Sequence, residues 1–211
     1  MNSEREESVA VRRRPAEHVR VPHLLERFPE RVVWAIFTFV SGFIAIGVLA
    51  SMAMMFKAPF IFPPLGATAI LFLYSPPLPT ASPRSAICGH GIAILCGYGA
   101  LLLTGLQHAP AATVVGVDGA RIAATGLALA TTAALMILLR VVHPPAGATA
   151  LMVSLGIITT PYQLPILELA VVVLAVQAII INRIAGIEYP LWAPRIPMTK
   201  EDAQLLADRL Q

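Results

Sequence analysis

Four apolar stretches, each long enough to cross a lipid bilayer as a helix, constrain this chain more than any other feature. They run over residues 32–56, 85–107, 121–140 and 164–182, and a transmembrane helix needs about 20 mainly apolar residues. Across the sequence 57% of residues are hydrophobic and 13% are charged, whereas about a quarter are charged in a soluble domain. The sequence therefore predicts an all-helical membrane protein that contacts lipid and does not bind nucleic acid.

The polar ends of the chain predict its orientation. Arginines recur through residues 1–31, and no short apolar core with a cleavage site precedes the first span, so we expect no removable signal peptide. Basic residues favour the cytoplasmic side. We expect residues 1–31 and the polar tail 184–211 to be cytoplasmic, in the inner (plasma) membrane. A short helix is predicted from Thr199, and Tyr189 and Trp192 are expected at the membrane surface.

A proline-containing motif occurs twice, each time in an apolar segment between two of the long stretches. FPPLGATAI is found at residues 62–70 and HPPAGATAL at residues 143–151. Each half of the chain is therefore ordered long, broken, long, which indicates an internal repeat. We assign the first repeat to residues 32–107, a linker to 108–120 and the second repeat to 121–183. Three crossings per repeat would invert the second half relative to the first.

The broken segments either cross the membrane or re-enter on the same side. Six crossings place Arg84 and Arg140 on the cytoplasmic side, with Lys57 and Arg121 outside. Four crossings leave Arg121 on the cytoplasmic side and place Lys57, Arg84 and Arg140 outside. Because basic residues are enriched in cytoplasmic loops, the charges favour six crossings in two inverted repeats.

Each proline pair predicts a helix that begins within the membrane. Proline fits the first helical position, and the residue before it is extended. A helix from near Pro64 to Tyr74 would be about half as long as the bilayer core is thick. Free amides at a helix N-terminus bind anions, and transporters often place the broken helices of two repeats around a substrate. The predicted anion-binding residues are Pro63, Pro64, Gly66, Ala67, Thr68, Pro144, Pro145, Gly147, Ala148 and Thr149.

Close packing is an alternative explanation of the same motif. Small residues let membrane helices approach each other, and Thr68 and Thr149 could bond to carbonyls of their own helices. The occurrence of two matched copies in corresponding segments favours the binding interpretation.

Two histidines at membrane depth extend the candidate site. His143 stands where the first motif has Phe62, and it could donate to an anion, carry a proton or bind carbonyls. His90 is a secondary candidate, and its neighbours Gly89 and Gly91 leave room for a close contact. Ionisable residues within spans are functional candidates by default.

Arg84 and Arg140 are secondary candidates at the predicted cytoplasmic boundary, where they could attract anions or set topology. No sequence pattern matches a metal site, a catalytic nucleophile or a phosphate-binding loop. The sequence therefore predicts no enzyme activity, no metal and no cofactor.

The second motif resembles the signature of the HPP family of integral membrane proteins, named for the triplet found here at 143–145. The resemblance includes PPLGATAILF in the first half, PR at 83–84 followed by GH at 89–90, and Asn182 followed by YPLW at 189–192. It covers most of residues 30–195 and implies transport, with nitrite as the first candidate, and four transmembrane helices. Family members often have Gln-Pro-Arg-Asn where this chain has SPRS at 82–85.

Three functions are compatible with the sequence. The first is a transporter or channel for a small monovalent anion, with Gly66, Thr68, Gly147 and Thr149 as donors and His143 as a proton-sensitive gate or coupling residue. The second is a channel for a neutral solute such as nitrous acid or water. The third is a scaffold or sensor that transports nothing. Small residues on the helices also allow a homo-oligomer.

Overall fold

The computed structural model describes residues 20–193, and every regular element in that part of the chain is helical. The helices are α1 (Val21–Leu25), α2 (Glu30–Phe56), α3 (Pro63–Tyr74), α4 (Pro83–Thr104), α5 (Ala112–Val115), α6 (Gly119–Leu138), α7 (Pro145–Ser154) and α8 (Leu164–Ile184), with a 3-10 turn at Pro79–Ala81. Four of them, α2, α4, α6 and α8, are long and apolar enough to cross a membrane. The predicted all-helical membrane fold is therefore confirmed. The inversion of the two halves stays a prediction, and the helix expected from Thr199 lies outside the described residues.

Local sequence signals set the ends of the long helices. The Ser82 hydroxyl accepts a hydrogen bond from the Ser85 amide at the start of α4, and Asp118 does the same for the Arg121 amide at the start of α6. Gly105 ends α4 in the left-handed conformation, with φ 72°, which only glycine adopts at no cost. These signals shift the helix ends by a few residues from the apolar stretches. The linker also contains a short helix, α5.

Helix α4 packs against α6, α7 and α8. Its approach to α7 requires Gly97, because a Cβ atom there would lie 2.8 Å from the Val153 Cβ. Small side chains permit such short distances between membrane helices. The interface of α4, α6 and α7 is accordingly rich in buried alanines, namely Ala93, Ala100, Ala124, Ala128, Ala146 and Ala150.

The two helices that begin at the proline pairs are short, with 12 residues in α3 and 10 in α7. A side chain from a long helix binds the last turn of each. Asn182 of α8 donates from Nδ2 to the Phe72 carbonyl at 3.1 Å, and Arg121 of α6 donates from Nη1 to the Ser154 carbonyl at 3.0 Å. Carbonyls in the last turn of a helix have no partner within it. These two bonds therefore stabilise helix ends that lie inside the fold.

Asn182→Ala is expected to lower the free energy of unfolding by about 1–3 kcal/mol, because the buried Phe72 carbonyl loses its donor. Gln177→Ala is the matched control on the same helix: its side chain is partly exposed, and its Nε2 lies 3.4 Å from the Ala45 carbonyl. Thermal unfolding in detergent compares the two variants. Equal losses would contradict the role assigned to Asn182.

The chain segments before α2 and after α8 meet at the same end of the helix bundle. The Val21 amide donates to the Ala185 carbonyl at 2.9 Å. Tyr189, which we expected to anchor the chain at the membrane surface, instead packs inside the protein: it is 3% exposed, and its hydroxyl donates to the Ala81 carbonyl at 2.6 Å. Burial raises the pKa of this phenol, so it keeps the proton that it donates. Trp192 is 51% exposed.

Candidate functional site

Four polar side chains meet where α7 packs against both α3 and α4. Thr68 lies on α3, His90 on α4 and Thr149 on α7, and His143 precedes the proline pair of α7. All four are 0% exposed. We call them the His–Thr cluster. The fold thus brings together the two threonines of the repeated motif and the two histidines that the sequence singled out.

The His–Thr cluster is a continuous chain of hydrogen bonds. His90 Nδ1 lies 2.8 Å from the Thr149 hydroxyl, and His90 Nε2 lies 3.0 Å from the Thr68 hydroxyl. The Thr68 hydroxyl lies 3.0 Å from His143 Nε2, and His143 Nδ1 lies 2.8 Å from the Thr80 carbonyl. Both ring nitrogens of both histidines therefore have a partner.

The Thr80 carbonyl fixes the direction of this chain. A carbonyl only accepts, so His143 carries its proton on Nδ1, and in a neutral ring its Nε2 accepts from Thr68. Because the Thr68 proton is then used, His90 Nε2 donates to Thr68 and His90 Nδ1 accepts from Thr149. Neutral rings suit this place, since no ion pair with a carboxylate is found for either histidine within residues 20–193, and a buried unpaired charge is costly.

Aromatic rings and close backbone packing enclose the two histidines. The Phe62 ring stands at 86° to the His90 ring with centroids 6.3 Å apart, and the Phe72 and His143 centroids are 6.1 Å apart. Gly89 gives His143 its room, because a Cβ atom on Gly89 would lie 2.9 Å from the His143 Cβ. The prediction that a glycine beside His90 leaves space for a close neighbour is thus confirmed, and the cluster is closed to solvent in this conformation.

The other motif residues lie outside the His–Thr cluster. Gly66, Pro145 and Gly147 are partly buried, and Pro64 is buried. The exposed members of the motif are Pro63, Ala67, Pro144 and Ala148. The first copy of the motif therefore contributes its threonine to the cluster, the second contributes His143 and its threonine, and the exposed residues of both copies face the surroundings of the protein.

The first-turn amides differ from the expectation that they are free for an anion. Proline has no amide hydrogen, and the Leu65 amide donates to the Phe62 carbonyl at 3.0 Å. In α7 the amides of Ala146 and Gly147 donate to the carbonyls of His143 and Pro144, each at 3.0 Å. The proline pair thus removes the donors that a helix N-terminus usually presents. The groups placed to meet a ligand are side chains.

Arg84 and Arg140 lie together at one end of the bundle, near the carbonyl that binds His143. Arg84 Nη2 is 3.5 Å from the carbonyl of Leu139, the residue before Arg140. Arg84 is partly buried and Arg140 is exposed. In sequence, Arg140 precedes His143 by three residues and Arg84 follows Thr80 by four. Both arginines are therefore attached to the backbone at the end of the bundle where the chain of hydrogen bonds ends.

Sequence reasoning missed the part that Thr80 takes in the site. Its contribution is a backbone carbonyl, which carries no residue-specific signal. The proline-rich stretch PPLPT at 76–80 indicates a turn, and the 3-10 turn observed there presents the carbonyl to His143.

A family model described as "HPP, transmembrane region" matches residues 28–190. That range contains α2 to α8 and the whole His–Thr cluster. No match was found among curated proteins or among solved structures.

Proposed function

The chain belongs to the HPP family of integral membrane proteins, and we propose that it transports a small monovalent anion, with nitrite as the first candidate. The observation that carries this proposal is the meeting of both motif threonines at one buried histidine. Thr68 and Thr149 bond to opposite nitrogens of the His90 ring. A polar site formed by the broken segments of two halves is typical of transporters.

Donor groups of the His–Thr cluster suit an anion once the helices separate. Movement of α3 away from α4 would free the His90 Nε2–H, and movement of α7 would free the Thr149 hydroxyl. Unpaired buried donors are costly, so this opening is unfavourable in the empty protein. An anion that accepts from these groups would stabilise the open form, which is how a ligand shifts a conformational equilibrium.

Electrostatics favour an anion over a cation. The positive ends of α3 and α7 lie near the His–Thr cluster, because each begins at its proline pair a few residues before its threonine. Arg84 and Arg140 add positive charge at the end near Thr80, where such groups raise the local concentration of anions. Within residues 20–193 no carboxylate is paired with them.

A non-transporting scaffold is the second candidate, and the burial of the His–Thr cluster favours it. Four polar side chains that are 0% exposed and bonded to each other would also hold α3, α4 and α7 in a single arrangement. The scaffold needs no opening and predicts no solute flux.

Nitrite flux into proteoliposomes separates the two functions. Wild type is expected to show saturable flux that empty vesicles lack. Thr149→Val is expected to lower that flux by at least about tenfold, because a hydrogen bond to a charged group contributes about 1.5–3 kcal/mol. Chloride and nitrate as competitors report the selectivity of the pathway.

Thr132→Val is the matched control. Thr132 is also 0% exposed, but its hydroxyl donates to the Ala128 carbonyl of its own helix at 2.7 Å. It should retain flux and should lose no more thermal stability than Thr149→Val. Folded wild-type protein with flux equal to empty vesicles would reject transport of nitrite and favour the scaffold. Flux that rises with the concentration of nitrous acid without saturating, and that is unchanged in Thr149→Val, would instead assign the pathway to a neutral solute.

A further inference from the structure

The Thr68 hydroxyl has more partners than it has protons. It lies 3.0 Å from His90 Nε2, 3.0 Å from His143 Nε2 and 3.2 Å from the Pro64 carbonyl of its own helix. A hydroxyl donates once and accepts through two lone pairs. Which of the three partners receives the proton therefore depends on the protonation of the two histidines.

With both histidines neutral, Thr68 donates to His143 Nε2 and accepts from His90 Nε2, as the Thr80 carbonyl requires. If His143 gains a proton on Nε2, that nitrogen becomes a donor. Thr68 then accepts from both histidines and donates to the Pro64 carbonyl. All N–H and O–H groups of the cluster keep a partner after this rotation of one hydroxyl, and no heavy atom has to move.

His90 has no equivalent arrangement. A second proton on its ring would place an Nδ1–H against Thr149, whose hydroxyl would then need another acceptor. Within the described part of the chain, Thr149 has no side-chain hydrogen bond other than the one to His90, whereas Thr68 has the carbonyl of Pro64. The two motif copies thus differ in function, and His143 is the residue able to hold an additional proton.

We propose that the site takes up one proton, on His143 Nε2, together with each anion; this rests on the proposed transport function. The proton comes from hydronium in the surrounding water, which the buffer replenishes, so one O–H bond breaks as one N–H bond forms and no bond to carbon changes. A buried imidazolium and a buried anion are each costly alone and compensate each other when bound together. Uptake of one proton with each monovalent anion moves no net charge across the membrane. The substrate class is therefore a monovalent anion transported together with one proton.

Other titratable groups near His143 are few in the described residues. His90 touches it through Thr68, and the ring centroids are 5.1 Å apart. Tyr189 lies behind Phe72 and donates to a carbonyl, and Glu168 of α8 packs against Gly91, beside His90. Arg84 and Arg140 lie at the end near Thr80. None of these forms an ion pair with His143.

Isothermal titration calorimetry of purified protein with sodium nitrite tests the proposal. Repeated in buffers with different ionisation enthalpies, it gives the affinity and the number of protons taken up on binding. Wild type is expected to take up about one proton per bound anion. Binding without proton uptake would overturn the proposal and leave the transport function intact. Absence of binding by folded protein would overturn both.

Three variants locate the proton. Thr68→Val removes the hydroxyl that turns to accommodate the added proton, so we expect almost no proton uptake per bound anion. Thr68→Ser keeps the hydroxyl and should keep the uptake of about one proton. His143→Gln, which does not titrate, should also give a count near zero. An unchanged count in Thr68→Val or His143→Gln would overturn the assignment. In proteoliposomes, one-to-one coupling predicts flux driven by a pH gradient and unaffected by a potassium diffusion potential; flux driven by the potential would overturn it.

Discussion

Gly89→Ala is expected to destabilise the protein and disrupt the His–Thr cluster, whereas Gly91→Ala, two residues further along α4, should do neither. A Cβ atom at position 89 would lie 2.9 Å from the His143 Cβ and 3.4 Å from the Met136 sulfur. The His143 Cβ is attached directly to the backbone, so a new methyl group displaces the chain ahead of α7. The bonds of His143 to Thr68 and Thr80 would then lengthen from 3.0 and 2.8 Å.

Gly91 provides the comparison because its surroundings have room. A Cβ atom there would meet the Glu168 carboxylate at 3.7 Å, an ordinary contact distance. Replacing glycine by alanine in a helix is otherwise favourable by about 1 kcal/mol, and overpacking costs about 1–3 kcal/mol. The two variants should therefore differ in the sign of their effect on the melting temperature in detergent. Nitrite flux should fall only in Gly89→Ala, and two equally stable variants would show that α7 adapts to the added methyl group.

The long helices were predictable because lipid imposes a length and a composition on them. The apolar stretches at 32–56 and 164–182 correspond to α2 and α8 within two residues at either end. The proline pairs also marked the starts of two short helices correctly, since proline favours a first turn and cannot lie further in. Both signals are local, which is why they can be read from one sequence.

The composition of the candidate site was predictable in part. Thr68, Thr149, His90 and His143 each stood out as polar groups in apolar segments, and all four are in the His–Thr cluster. Their mutual contacts depend on how closely α4 approaches α7, which is set by distances across the fold. The expectation of a free amide at Gly147 was wrong for a local reason. The Gly147 amide donates to the Pro144 carbonyl, and the two prolines have no amide hydrogen.

Buried polar residues that join distant segments were the least predictable. In the sequence Asn182 stood out only through the family resemblance and Arg121 only as a marker of topology, because a single sequence shows only their positions along a helix. Their partners, Phe72 and Ser154, are far away in the chain. Nothing in the local pattern distinguishes an arginine at a membrane boundary from one that binds a neighbouring helix.

Arg121→Met is expected to lower the free energy of unfolding by about 2–4 kcal/mol. Arg121 is 2% exposed, and besides the Ser154 carbonyl it binds the Pro110 carbonyl from Nη2 at 2.9 Å. Its charge has no ion-pair partner within residues 20–193, so these carbonyls and the negative end of α7 stabilise it. Methionine fills much of the volume and relieves the buried charge, but it leaves two carbonyls unpaired, each costing about 1–3 kcal/mol.

Arg140→Met is the matched control, since Arg140 lies at the other end of α6 and is exposed; its effect on unfolding should be within about 0.5 kcal/mol. The loss of unfolding free energy in Arg121→Lys should fall between those of Arg121→Met and Arg140→Met, because an ammonium group keeps the charge but lacks the planar guanidinium that reaches both carbonyls. Thermal unfolding in detergent ranks the three variants. If Arg121→Met were as stable as wild type, the buried charge would cost as much as its two bonds contribute. Arg121 would then be retained for a reason other than holding α7 to the linker.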